Sequence, residues 1–228
     1  MVAVPINSRD EAFADYLYAD DRQNRLFGLL RSPDATSRLA AAGVGGISPS
    51  FDDMQTHVAR PDGAAMSNYR MGPGRTLRQG AERNEGAAEV EFRIDGSVRV
   101  FCGRLSDALG RGESTVQMLF DDLLLTYVVR TLTLVQAIAE ITGHFGEWDL
   151  GLGANGLSGV RSYKANDTFH DGTQYSVDDY RRTTTTSYPE LTKSIGAVTE
   201  RLVGSLLRTL GSHHLYSPLF IDADLPGD

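Results

Sequence analysis

Two groups of residues have types and spacing that could do chemistry. The first is Gly151-Leu152-Gly153-Ala154-Asn155-Gly156, a literal G-x-G-x-x-G. In a dinucleotide fold these glycines follow a strand and open a helix whose amino terminus meets the pyrophosphate. A strand pattern precedes them, but LSGVRSYKAND, from Leu157, does not read as a helix. A kinase-type glycine loop lies between strands, yet no His-Arg-Asp or Asp-Phe-Gly element follows Gly156. The context instead predicts a glycine-rich strand end that lets a sheet twist against a helix. The second group is Asp178, Asp179, Arg181 and Arg182, just before Thr183–Thr186. Adjacent carboxylates suit acid–base or metal chemistry, and paired arginines suit a phosphate or carboxylate. Nothing nearby completes a site, so a solvated face or a mutual ion-pair set is the simpler reading.

Other reactive residues are dispersed. His57, His144, His170, His213 and His214 make no H-x-x-x-H or H-E-x-x-H pair; His170 with Asp171 and Asp178 is a conceivable but thin metal set. Cys102 alternates inward with Val98 and Val100, which predicts packing rather than nucleophilic work. Ser158 lacks the G-x-S-x-G frame of a hydrolase elbow. Arg130 and Asp122 are expected to form a buried polar tie. No catalytic residue, metal ligand or cofactor is assigned.

The elements that must position these residues centre on Ser114–Gly143. Ser114 and Gln117 form a capping-box pair, and apolar residues recur at Val116, Leu119, Phe120, Leu123, Tyr127, Leu134, Ile138 and Ile141. Leu124, Leu125, Val128, Val129, Leu132 and Val135 fill most of the other faces, so this helix must be covered on several sides. Its most apolar part, Leu123–Ile138, carries Arg130 and Gln136 and is shorter than the roughly 20 residues of a membrane span, which predicts a core helix.

Before it, Val90–Cys102 alternates around Asp95-Gly96 and predicts a hairpin. A three-residue loop of Ile94, Asp95 and Gly96 pairs Phe92 with Val98, Val90 with Val100 and Glu91 with Arg99, satisfying both faces. After it, Trp148, Leu150, Leu152 and Ala154 alternate as a strand. Ser162–Gln174 reads as a loop or irregular strand, and the threonine run as a further strand. Ser187, Pro189 and Glu190 mark a helix start, and the spacing from Ile195 to Leu210 is amphipathic. Ser8 and Glu11 open another expected helix running towards Leu30, and Ala35–Ala42 a short one. The whole predicts an α+β fold, an antiparallel sheet of a hairpin plus two further strands packed by the long central helix and a C-terminal helix. The expected organisation is a helical segment 1–42, a loop-rich connector 43–85 with one or two short strands, a core 86–211 and a docked tail 212–228.

The chain has 228 residues, 41% hydrophobic and 23% charged, with net charge −8 and pI near 5.1. That balance argues against bulk attraction to nucleic acid or anionic membrane. One cysteine excludes an intramolecular disulfide and predicts a reducing, cytoplasmic setting. The amino-terminal residues MVAVPINSRDEAF lack the basic and apolar regions of a signal peptide.

One combination resembles a known family. The run DGSV, the long apolar helix, FGEWDLGLGANGLSGVRS, YSVDDYRRTTTTSYPEL and the final leucine-rich helix are similar to the region downstream of an AlbA-like (Schlafen-associated) DNA-binding domain in actinobacterial proteins. The similarity covers about residues 89–211, with Trp148-Asp149, Gly156–Gly159 and Tyr180–Thr184 its most specific positions. The DNA-binding domain itself has no counterpart in this chain. The resemblance therefore implies an accessory module of a nucleic-acid-associated or defence-type system.

Two functions are expected from these observations. The first is a non-catalytic regulatory or interaction module that self-associates or binds another protein chain. Its expected surface is Trp148, Asp149, Asn155, Arg161, Asp179, Tyr180, Arg181 and Arg182, with Tyr163 and Tyr175 nearby. The alternative is a small-molecule or nucleotide-binding protein, or an enzyme acting on such a ligand, that uses the Gly151–Gly159 strand end and the Arg181–Arg182 pair.

Overall fold

The computed structural model describes residues 1–31, 33–46, 48–69, 86–109, 115–166 and 173–221. In chain order the elements are β1 (Val2–Pro5), α1 (Ala14–Leu17), α2 (Arg22–Leu30), α3 (Pro33–Ala41), β2 (Thr56–Arg60), β3 (Gly63–Ser67), β4 (Ala88–Arg93), β5 (Val98–Cys102), β6 (Ser106–Leu109), β7 (Val116–Leu119), α4 (Asp121–Thr142), β8 (Glu147–Ala154), β9 (Arg161–Ser162), β10 (Tyr180–Ser187), α5 (Tyr188–Lys193), α6 (Ile195–Thr209) and α7 (Ser217–Phe220). Among these, seven strands form one antiparallel sheet in the order β10-β8-β1-β5-β4-β3-β2, and β6-β7-β9 form a smaller one. The fold is α+β, with the long helix on the sheet, as expected.

Helix α4 explains the layering. Its apolar side chains point in all directions, and 17 of its 22 residues are buried. It lies against β5 and under α2, α3, α5 and α6, so the helical layer sits on one side of the large sheet. By length and composition α4 is apolar enough to cross a membrane, but 78% of its most apolar window is buried inside the protein. Across the sheet the row Leu150, Ala3, Val98, Phe92 and Ala64 faces this layer, each 2% exposed or less.

The hairpin register is the expected one. Phe92 pairs with Val98, Val90 with Val100 and Glu91 with Arg99, and Gly96 takes φ +89° in the three-residue loop. Ser187 caps α5, accepting from the Glu190 backbone N–H, with Pro189 in its first turn. The tail docks through Tyr216, Leu219 and Phe220, whereas Ile221 is exposed.

Several expectations are corrected. The central helix starts at Asp121, not Ser114: Val116–Leu119 is strand β7, and Ser114 lies outside the described residues. Four residues fit the helical and strand periods about equally, and pairing with β6 and β9 decides. The helix expected from Ser8 is broken at Tyr18–Asp21 into α1 and α2. The sheet gains β1 in its middle and β2–β3 at its far edge, so the boundaries at 42/43 and 85/86 fall within one sheet. Of the segment Ser162–Gln174, Arg161–Ser162 form the short β9, and 167–172 lie outside the described residues, as do His170 and Asp171 of the conceivable metal set. Arg130 does not pair with Asp122. It bonds Asp52 at 2.6 Å and Thr36 at 3.2 Å, tying α4 to α3 and the turn at Phe51–Asp53.

Asp122 belongs instead to a buried polar hub at the start of α4. Asp121 accepts from Ser212 at 2.7 Å and Ser162 at 2.8 Å, and Asp122 from Tyr216 at 2.6 Å, Gly45 N–H at 3.1 Å and Lys164 at 3.2 Å. The two carboxylates sit in the first turn, where the helix dipole favours negative charge. Burial nevertheless pushes the Asp121 carboxyl above its usual range, against the donors that pull it down. The hub joins the tail, β9 and the 43–46 loop to the core helix. Tyr216→Phe keeps the ring's packing and strands one Asp122 oxygen, so it should cost about 1–3 kcal/mol in urea unfolding and expose the tail to protease. Unchanged stability and proteolysis would show that the hub does not hold the tail.

Candidate binding surface on the open face of the sheet

Because the helices share one side, the opposite face at the β10 end of the sheet is bare. The row beside the buried one reads Thr183, Gly151, Val2, Arg99 and Glu91, and every member is at least partly exposed. Val2 and Val4 are each 40% exposed, which is unusual for valines in an interior strand. Gly151 and Gly153 put no side chain on this face, and a Cβ at either would meet nothing within 4 Å. The outcome is a groove along β8, walled by Val2 and Val4 on one side and Thr183 and Thr185 on the other. Asp149 closes one end, accepting from the Thr185 hydroxyl at 2.8 Å.

Strand β10 borders the groove and ends the sheet. Its register with β8 runs unbroken through eight pairs. Tyr188 N–H donates to Gly146 C=O at the end of the same ladder, so the even-numbered residues of β10 bond β8. Arg181, Thr183 and Thr185 therefore turn their backbone groups outward. The Thr185 carbonyl accepts from Arg201 at 3.4 Å, a contact from α6.

A second concavity, of 640 Å³, opens at the start of β1. Met1 and Val100 bond each other there, and past that pair Phe101–Cys102 and Gly153–Ala154 line the cleft. Leu124, Tyr127 and Val128 of α4 form part of its apolar lining, and Asn155, Asp179, Arg181, Gln117 and the Arg104–Asp107 ion pair are polar groups at its wall. Cys102 donates to the Arg104 carbonyl at 3.3 Å, and burial pushes its thiol up, away from the nucleophilic thiolate.

The residues picked out from the sequence thus divide among four places. Asp149 stands on the open face. Asn155, Asp179 and Arg181 meet at the cleft, with Asp179 and Arg181 paired at 2.9 Å. Trp148 and Tyr180 are not surface residues: both are buried against the helical layer, Tyr180 donating to the Leu202 carbonyl at 2.6 Å. Arg181 and Arg182 do not act as a pair, since successive strand residues face opposite sides. Arg182 reaches Ser205 of α6 at 3.2 Å, whereas Arg181 is 82% exposed on the far side. Arg161 lies apart, in β9 of the small sheet. The glycine motif ends a strand without opening a helix, and Gly156 takes φ +72° in the turn that follows. Among the described residues no group of three His, Cys, Asp or Glu side chains is placed to hold a metal ion. Val2, Val4, Thr183 and Thr185 were not singled out from the sequence. The alternation of Val2-Ala3-Val4 is the one signal that could have found β1.

Comparison with protein-family models, curated proteins and solved structures finds no match for the chain. Fold and surface thus define an α+β protein with a one-sided sheet.

The edge strand is locked from below. Glu190 accepts from Thr186 at 2.8 Å and from Arg201 at 2.9 Å, and hydrogen bonding to Arg201 holds its carboxyl below the usual value of 4.5. A depressed carboxylate stabilises the fold above its unfolded pKa and loses that contribution as pH falls through the lower folded value. Glu190→Gln should therefore cost about 0.5–1 kcal/mol at pH 7, a deficit that shrinks as pH falls below 4.5. A deficit independent of pH would show that the ion pair does not hold β10.

Proposed function

We propose that the chain is a non-catalytic interaction module whose working surface is the bare β10-β8-β1 face and its edge. The observation that carries this reading is the juxtaposition of two exposed valines, a glycine-floored groove and an edge strand with outward backbone groups. Extended chains bind such edges through main-chain hydrogen bonds, while shallow pockets beside the edge select side chains. An accessory role in a cytoplasmic, nucleic-acid-associated system fits the resemblance noted above. In that role the acidic chain meets another protein rather than the nucleic acid.

A benzoylphenylalanine photocrosslinker at Val4 tests the reading in cells, with Tyr18, 60% exposed on the helical side, as the control position. Crosslinks to protein should form from Val4 and not from Tyr18. They should weaken in Gly151→Val, whose Cβ meets nothing within 4 Å and whose methyl groups enter the groove between its walls. Equal crosslinking from both positions would refute the assignment of the surface.

The 640 Å³ cleft favours a second reading, a small-molecule site, because it falls in the size range of ligand pockets and brings Asn155, Asp179 and Arg181 together. Native mass spectrometry of gently purified protein separates the two. A reproducible increment above 24.8 kDa that Asn155→Leu abolishes would establish a ligand in the cleft. A bare chain mass, or its multiple, would count against one.

A further inference from the structure

We propose that the occupant of the β10 edge is a second copy of this chain, paired antiparallel about a two-fold axis through Thr183. This inference rests on the interaction reading above and names the partner it leaves open.

Among the described residues the edge is only partly protected, by its two arginines and by Arg201 at Thr185. Free sheet edges are blunted by brevity, lysine, proline, bulges or a covering element. Strand β10 is eight residues long with no proline and no bulge, and its charges, Arg181 and Arg182, lie at its start and leave Thr183–Thr186 uncharged. The opposite edge, β2, is five residues and runs into Arg60-Pro61. Among the described residues, the β10 end is the one whose edge strand is long enough to invite another strand.

The pairing geometry follows from which backbone groups face out. Arg181, Thr183 and Thr185 point outward, so an antiparallel copy must match odd-numbered residues with odd-numbered ones. Centring the axis on Thr183 uses the whole strand: Thr183 meets its own symmetry mate, Arg181 meets the copy's Thr185, and Asp179 meets the copy's Ser187. The Thr185 carbonyl accepts from Arg201 and from the Thr184 hydroxyl, each at 3.4 Å, and the copy's N–H displaces one of these long contacts. Threonines opposite one another are favourable cross-strand pairs.

Charge then selects this register. Arg181 and Asp149 project from the same open face, since Asp149 accepts from Thr185 there. In the dimer the copy's Asp149 lies beyond its Thr185, two strands or roughly 10 Å from the Arg181 backbone. An extended arginine and an aspartate together span that separation. Within one chain Arg181 is 82% exposed and, among the described residues, pairs with Asp179, itself 46% exposed, so it is available to cross the axis. The isologous interface forms this ion pair twice.

Sedimentation velocity across a concentration series of the full chain tests the proposal. A species of twice the 24.8 kDa chain mass should appear with rising concentration. Thr183→Pro removes the outward N–H on the axis without touching a bond to β8, and should abolish the dimer while leaving the circular dichroism spectrum unchanged. If that variant misfolds, charge reversal carries the test. Arg181→Asp and Asp149→Arg should each weaken the dimer about tenfold, and the double variant should restore it. A monomer at every concentration would overturn this inference but not the interaction reading, which the Val4 crosslinks test separately. A dimer indifferent to the charge reversals would overturn the register and the edge pairing with it.

Discussion

The fold depends on burying one helix whose apolar side chains leave only a narrow polar stripe. Helix α4 must be enclosed, and a sheet can cover only part of a helix surface. The rest of its cover comes from α2, α3, α5 and α6, all gathered on the same side of the large sheet. That demand leaves no helix among the described residues for the other face at the β10 end. The bare surface at the β10 end is therefore a consequence of how the core closes, and Val2, Val4 and the two β8 glycines are what it exposes.

Polar residues on α4 fix how the cover is arranged. Asp121 and Asp122 gather donors from the tail, β9 and the 43–46 loop, while Arg130 gathers α3 and the Phe51–Asp53 turn. Each is buried and would be costly unpaired, so the segments that bond the two carboxylates and the Arg130 Nη2 are held in place. On the other side of the molecule Tyr180, Arg182 and Glu190 seat β10 on α6. The edge strand is thus rigid on its helical face and open on its other face, which suits a template for pairing.

The sequence was most informative where local pattern and tertiary demand agreed. The Ile94–Gly96 loop, the β8 alternation, the Ser187 cap and the amphipathic α6 all followed from short-range rules. It was least informative where a strand was too short to show a period. Strand β1 has four residues, so its place between β8 and β5 depends on partners nearly 100 and 150 positions away. Strand β7 reads equally well as a first helical turn, and its pairing with β6 and β9 alone decides. The same limit applied to the surface. Trp148 and Tyr180 have the composition of recognition residues, but their strand parity turns them inward, and parity turns Arg181 out and Arg182 in.

Amide hydrogen exchange in β10 tests the central claim most directly. In concentrated protein the outward amides of Arg181, Thr183 and Thr185 should exchange slowly, and on dilution they alone in the strand should speed up, while Arg182 and Thr184 stay protected by β8. Rapid exchange of the outward amides at every concentration would contradict the account, because the edge would then face only water.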